Sequence, residues 1–411
     1  MRLVLIGDVG VVDDMIHIGD EAMFDEALHQ LRQRGATAVT AISADPAETA
    51  SRYGVDAVAR IGFSAGATLD RAADGERMRR VVDTARGQGG LLAPGDPALT
   101  VIDAVRRSDG VLVCGGGNMA STWPLHIFER ATLGAVAQAL GRPLVVSGQT
   151  IGPELTASDG SLVASLLSST AVTGLREPSS YALCRDLGVP EELLRATVDD
   201  ASFVGDRASV AAPALADPYC AVTFSTHLNG ASRDLFADSA ARLLDEVALS
   251  TGLAIVFVAH FGSLLADEVR GDSVLHQAVA ERMRVPSSAV VPPDSVSAAG
   301  LARQASLVLT SRYHPAVFAV SGGVPTVGIA VDEYTTVKLT GALGNLGQDA
   351  VLQLDEVLDG TGSAASRVAA DRVAAVWGDR AGIRSRGLAR AEAARASSAA
   401  WWDELAALFT P

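Results

Sequence analysis

Lysine is almost absent from this chain. Of the 33 basic residues in 411, Lys338 is the one lysine and the rest are arginine, a bias that looks like GC-rich coding pressure and marks the survivor as needed. Cysteine is nearly as scarce. Cys114, Cys184 and Cys220 are odd in number, far apart and set in apolar contexts, which excludes a disulfide framework and reads as buried thiols in a reducing cytoplasm. Met1 runs directly into Arg2-Leu3-Val4-Leu5-Ile6 with no basic leader or cleavable apolar segment, so export by a standard signal is not expected. The longest apolar stretches, such as 316–331, are cut by glycine and proline and are too short to span a bilayer. A formal charge of −15 argues against a nucleic-acid or acidic-membrane partner, so any anionic ligand must be held by a local cluster of cations. There is no H-e-x-x-H, no G-x-S-x-G, no P-loop lysine and no G-x-G-x-x-G, which removes the usual metalloprotease, hydrolase, NTPase and dinucleotide readings. No metal site is expected.

What the chain does have is alternation. Short aliphatic runs near 2–6, 37–42, 55–59, 111–114, 143–147 and 171–174 are separated by amphipathic stretches. The pattern restarts near 219–224, 253–258, 288–291, 306–310 and 325–329, which predicts βα units around parallel sheets. The length exceeds one ordinary core. The predicted fold is α/β, with two Rossmann-like domains at 1–210 and 218–350 facing an interdomain cleft. The Ala- and Pro-rich 208–218 is the linker, and a helical tail at 363–411 packs back through Trp401 and Trp402. Functional loops belong at the carboxyl ends of the strands.

The most informative of those ends is Ser311-Arg312-Tyr313-His314, where the buried run Leu307–Thr310 gives way to a helix opening around Pro315. It sets a fixed cation and a titratable imidazole two positions apart at a helix N-terminus, where an anion is already favoured. Gly115-Gly116-Gly117-Asn118 and Gly148-Gln149 leave two other strands, and the missing Cβ atoms allow a ligand close to the backbone, with Gln149 serving either a sugar hydroxyl or the loop itself. Arg176 leaves a further strand as an anion clamp or as the ion-pair partner of its neighbour Glu177. Asp20 and Glu21 are ordinary first-turn acids, preceded by Gly19, which lets a ligand reach the helix end. His227 and His260 follow strands of the second half and are secondary candidates. His126 can face either way, and His29 and His276 read as structural or solvated.

In order and spacing these pieces resemble the polysaccharide pyruvyl transferase family, whose fold is similar to GT-B glycosyltransferases. The matching landmarks are Gly19-Asp20-Glu21, Gly115-Gly116-Gly117, Gly148-Gln149 with Gly152-Pro153, Leu175-Arg176-Glu177 with Ser180, Ser311-Arg312-Tyr313-His314, and Lys338 with Gly341. Two positions depart from the family pattern: His17 stands where asparagine is usual, and Glu177 where aspartate is common. The resemblance implies transfer of the pyruvyl group of phosphoenolpyruvate, a co-substrate, to a sugar diol of a nucleotide- or lipid-linked saccharide, with no cofactor. It implies that Arg312 and Arg176 bind the donor anions and that His314 is the acid/base group. The expected substrate contacts are completed by Lys338, Gly115, Gly116, Gly117, Asn118, Gln149, His17, Gly19, Asp20 and Glu21, with the acceptor on the first domain and the donor anion on the second. A homo-oligomer is left open. The alternatives are a GT-B glycosyltransferase or epimerase using a nucleotide sugar, with Asp332 or Glu333 on the ribose, and a non-catalytic binding protein on the same fold.

Overall fold

The computed structural model of the protein describes residues 1–208, 218–358 and 364–410. Two compact units emerge. Met1–Val12, Met23–Asp200 and Ser397–Pro411 form the first, and Asp13–Ala22 with Ala201–Ala396 form the second. The segment Asp13–Ala22, expected with the first domain, thus belongs to the second unit, and the helical tail is divided between the two. The expected linker 208–218 lies, apart from its end residues, outside the described residues.

The first unit is built on β1 (Arg2–Ile6), β3 (Ala38–Ser43), β4 (Asp56–Ala59), β5 (Gly110–Val113), β6 (Gly116–Met119), β7 (Leu144–Ile151), β8 (Val172–Leu175) and β9 (Leu194–Ala196). They form a parallel sheet in the order β4-β3-β1-β5-β7-β8-β9, with β6 also on β7. Leu3 and Leu5 enter one apolar cluster, and Val4 and Ile6 enter another. Alternate residues of one strand are therefore buried on opposite faces, which is why β1 reads as an unbroken aliphatic run. Trp401, Trp402, Leu405 and Phe409 of the terminal helix join the cluster of Leu3, as the tail's aromatic pair predicted. Each such burial contributes roughly 1.5–3 kcal/mol.

The second unit repeats the plan with β10 (Tyr219–Thr223), β11 (Ala254–Val258), β13 (Ser287–Val290), β14 (Leu307–Thr310), β15 (Thr326–Ala330) and β16 (Val351–Gln353), ordered β13-β11-β10-β14-β15-β16 and parallel throughout. A separate antiparallel ribbon pairs β2 (Met15–His17) with β12 (Phe261–Ser263), and sets His17 opposite Phe261. In each sheet the chain runs outward from its first strand and then returns to that strand's other side. The order therefore reverses between β1 and β5 and between β10 and β14. At such a switch point the connections diverge and leave a crevice at the carboxyl ends of the strands. Cys114, Cys184 and Cys220 are buried and unpaired, as their contexts predicted. Among the described residues no helix is long and apolar enough to cross a membrane.

Candidate functional site

The motif Ser311-Arg312-Tyr313-His314 leaves β14 at the switch point of the second sheet. Thr310 Oγ1 accepts the Arg312 N–H at 2.9 Å and donates to the Arg312 carbonyl at 2.9 Å, which turns the chain sharply off the strand. Ser311 Oγ accepts the Ser225 N–H at 2.8 Å, tying this turn to the exit of β10. The helix begins at Tyr313, two residues ahead of the expected proline, with Arg312 as its N-cap in extended backbone. His314 therefore lies in the first turn.

Arg312 is aimed by a residue the sequence did not mark. Asp272, fully buried at the start of the helix Asp272–Ala280, receives Nη2 at 2.6 Å and Nε at 3.2 Å. The same carboxylate accepts the His260 and Phe261 N–H groups at 3.1 and 2.9 Å, so its position is fixed from two sides. The guanidinium also stands 5.8 Å from the Phe261 ring centroid. About one fifth of the Arg312 side chain, 21%, stays exposed. A charge-assisted fork held in this way is pre-aimed at an anion and loses little side-chain freedom on binding one.

His314 packs across Tyr313 at 5.0 Å and near Phe318 at 5.9 Å. Its opposite neighbour explains Gly19: a Cβ there would stand 2.1 Å from His314 Nδ1, so the imidazole occupies the space that any other residue would fill. The Gly-Asp-Glu landmark is thus the floor beneath the imidazole, at the N-terminus of the helix Ile18–Gln33, whose partial positive charge favours an anion beside it. His17 rests 5.6 Å from Phe261 and its Nδ1 lies 2.7 Å from Asp20 Oδ2. Burial disfavours the charged ring, but the Asp20 carboxylate outweighs it and raises the His17 value. Glu21 is buried. His260 is buried too, and burial first, then the nearby His314, Arg312 and His17, hold it well below the ordinary imidazole value despite the pull of Asp272. His17, His260 and His314 therefore converge on one spot, of which the sequence ranked only His314 first. Among the described residues no group of three or more His, Cys, Asp or Glu side chains is arranged to hold a metal ion.

Lys338 sits in the same unit, with its ammonium 4.9 Å from the Tyr313 ring, 4.6 Å from the Tyr334 ring and 3.0 Å from the Tyr334 hydroxyl. Cation–π contact on two rings holds the ammonium in place without neutralising its charge. Asp332 caps the next helix through the Thr335 N–H at 2.8 Å and meets His227 Nε2 at 2.9 Å, so its carboxylate is committed to these partners.

The first unit treats its predicted residues differently. Arg176 has no exposed side-chain surface, with Nη1 at 2.5 Å from Asp199, Nε at 3.1 Å from Glu177 and Nε at 2.8 Å from Thr150 Oγ1. The ion-pair reading of Arg176 is the one that the geometry carries. The glycines also turn inward. A Cβ on Gly148, which holds φ +51, would stand 2.6 Å from the Asp200 carboxyl carbon, and one on Gly115 would meet Met23 Sδ at 2.9 Å and Asp200 Oδ2 at 3.1 Å. Both glycines make room for Asp200, where ligand approach had been expected. Asp200 accepts Ser147 Oγ at 2.7 Å and the Gly115 N–H at 3.2 Å, and burial pushes its carboxyl up to about 7. Gln149 donates from Nε2 to the Cys114 carbonyl, and a Cβ on Gly116 would fall 3.1 Å from that nitrogen. Gly117 and Asn118 continue β6. The adjacent acids Asp199 and Asp200 were a legible signal, since two consecutive carboxylates seldom end a buried run without partners.

No curated protein matches the chain. Solved structures share its architecture. The UDP-GlcNAc 2-epimerase from Neisseria meningitidis bound to UDP-GlcNAc is 10% identical at a TM-score of 0.58, covering 94% of this chain and 94% of that one. Arabidopsis thaliana UGT89C1 complexed with quercetin is 12% identical at 0.57, covering 99% of each. The UDP-GlcNAc 2-epimerase from Methanocaldococcus jannaschii is 10% identical at 0.55, covering 90% of this chain and 98% of that one. At such identities the likeness speaks for the fold, which is GT-B-like. The family model described as polysaccharide pyruvyl transferase matches residues 17–333, a span that begins at the imidazole beside Asp20 and runs past Arg312 and His314. With well over half of its length inside that match, the chain belongs to the polysaccharide pyruvyl transferase family.

Proposed function

We propose that the protein transfers the pyruvyl group of phosphoenolpyruvate to two hydroxyls of a sugar in a nucleotide- or lipid-linked saccharide, forming a ketal and releasing phosphate. The donor carries a carboxylate and a phosphate, and Arg312, held by Asp272, together with Lys338 supplies cations for them. His314 delivers a proton to the methylene carbon C3, which makes C2 electrophilic. The first hydroxyl then adds to C2, the C2–O bond to phosphate breaks, and the second hydroxyl adds. Of the two hydroxyl protons, one replaces the proton that His314 gave to C3 and the other leaves with phosphate. An imidazole suits both duties because it titrates near neutral pH.

The observation that carries this reading is the His314 ring resting against Gly19 beside the Asp272-bound Arg312, all at the switch point of one sheet. The donor anions fall to Arg312 and Lys338 in this proposal, while Arg176, buried in its own ion pairs, holds the first unit together. As proposed, the step uses no cofactor beyond the co-substrate and takes place in the cytoplasm. Incubation with phosphoenolpyruvate and sugar acceptors tests it: phosphate should appear only with both present, and His314→Ala should lower the rate by roughly 10²-fold or more. Full activity in His314→Ala would overturn the acid/base role. Protection from heat unfolding by a nucleoside diphosphate, with none by phosphoenolpyruvate, would favour a nucleotide-sugar enzyme instead.

A further inference from the structure

The first unit has a switch point of its own, between β1 and β5, and charged side chains crowd it. Asp8 leaves β1, Arg60 follows β4, and His126 and Arg130 lie one turn apart near the start of the helix Pro124–Ala139. His126 Nδ1 stands 3.1 Å, Arg60 Nη2 3.3 Å and Arg130 Nη2 3.5 Å from the Asp8 carboxylate. Burial opposes its ionisation, but Arg130, His126 and Arg60 hold the Asp8 carboxyl below the usual range. The neighbouring Glu129 accepts the Ile61 and Gly62 N–H groups at 3.2 and 2.6 Å, and burial pushes its carboxyl upward, toward the neutral form. Two guanidiniums thus meet the Asp8 and Glu129 carboxyls at one spot, in a chain whose net charge is −15.

The cluster is not internally satisfied. Arg130 is 1% exposed, yet among the described residues its Nε has no hydrogen-bond partner, and its Nη2 has the 3.5 Å ion pair with Asp8 but no hydrogen bond. Asn118 Oδ1 and Gln149 Oε1, both close to Gly116 on the neighbouring strand ends, also have none. Buried donors and acceptors left unmade are costly, and such a group in a folded protein calls for a partner from a ligand or from water. The helix above starts at Trp123, which gives it no side-chain cap and is itself 46% exposed.

We propose that this switch point binds a phosphorylated sugar. Arg60 and Arg130 form planar forks that match a phosphate, and the uncapped helix N-terminus adds to its attraction. Asp8, Asn118 and Gln149 present acceptor oxygens to hydroxyl protons, and the exposed indole of Trp123 offers an apolar face to a sugar ring. Calling this ligand the acceptor of pyruvyl transfer rests on the function proposed above, whereas the site itself does not.

The test uses the full chain carrying Arg312→Ala and Lys338→Ala, so that the donor cations of the second unit do not contribute, and calorimetric titration with glucose, galactose and mannose 1-phosphates, the free sugars, and inorganic phosphate. At least one sugar phosphate should bind about tenfold or more tightly than its sugar or phosphate alone. Arg60→Gln should weaken sugar phosphate and phosphate alike by about tenfold, and Trp123→Ala the sugar phosphate but not inorganic phosphate. Arg60 and Trp123 are partly exposed, so these variants decide the matter even if Arg130→Gln does not fold. Tighter binding of the matching UDP-sugar would assign a nucleotide source for the phosphate, and equal binding a lipid carrier. No binding by any sugar phosphate, or unchanged affinity in both variants, overturns the site. A wild-type chain that releases phosphate from phosphoenolpyruvate while the variants bind normally loses the site but keeps the pyruvyl-transfer reading. One that binds sugar phosphate and never consumes phosphoenolpyruvate does the reverse.

Discussion

Arg176 and Arg312 stand at equivalent places, each just past the end of a parallel strand and each against a buried carboxylate, yet they come to opposite ends. Arg176 meets two acids, Glu177 and Asp199, and shows no side-chain surface, whereas Arg312 forks onto Asp272 and keeps 21% of its surface. Two carboxylates around one buried guanidinium make a structural joint. One carboxylate on one edge leaves part of the group exposed, and the proposed function assigns that part to the donor anion. The number and placement of acids, invisible in a local motif, decides between scaffold and site.

That contrast is open to direct attack. Arg176→Met should lower the unfolding free energy by about 3–5 kcal/mol in a denaturant titration, because it strands two buried carboxylates, while activity per folded molecule survives within a few-fold. Loss of phosphoenolpyruvate binding without loss of stability would invert the comparison. Arg312→Ala should instead cut phosphate release by roughly 10²–10³-fold, equivalent to about 3–4 kcal/mol at the transition state, with Arg312→Lys recovering only part because it cannot reproduce the fork on Asp272.

The two units should also answer pH in opposite directions. His276 is buried, its Nε2 accepts the Phe224 N–H at 2.9 Å, and burial lowers it to about 4. Its contribution to stability is complete above the ordinary imidazole value near 6.5 and should be lost as pH falls to about 4, because the unfolded chain takes up a proton that the folded one refuses; the total is about 3 kcal/mol. Asp200, raised to about 7, acts the other way, with stability lost as pH climbs from the ordinary carboxyl value toward neutrality. Unfolding free energies of the wild type against His276→Gln and Asp200→Asn across this range should separate the two slopes. The smallest effect is local: Gly19→Ala should displace the His314 ring and lower turnover by about tenfold, at a stability cost of about 1–3 kcal/mol from overpacking. Unchanged turnover would remove the imidazole from the chemistry more cleanly than its deletion.

Much of the scaffold was legible because fully buried parallel strands announce themselves as aliphatic runs. The runs at 2–6, 219–224 and 306–310 are β1, β10 and β14 to within a residue or so. The short strands β2, β6 and β12 were not, since three residues or a Gly-Gly-Asn sequence carry no periodicity and are fixed by a partner distant in sequence. The helix Pro46–Tyr53 also escaped, although Asp45 capping it at the Glu48 N–H and Gly54 closing it in the left-handed region are ordinary start and stop signs. For the candidate site, the place of Arg312 and His314 between strand and helix was readable. Asp272 was not, because a partner 40 residues away leaves no local trace. Gly115 and Gly148 show a related limit: sequence tells that a Cβ is missing but not whether a ligand or Asp200 takes its place.

The ribbon formed by β2 and β12 has a practical consequence for dividing this protein. A fragment cloned from Ala201 to Ala396 would contain the whole second sheet and still lack the strand opposite Phe261 and the bare backbone under His314, both of which lie within residues 13–22. Expressing the halves separately would therefore split the candidate site at the level of the genetic blueprint, and a transplant of it into another host protein would have to carry residues 13–22 along as a covalent passenger.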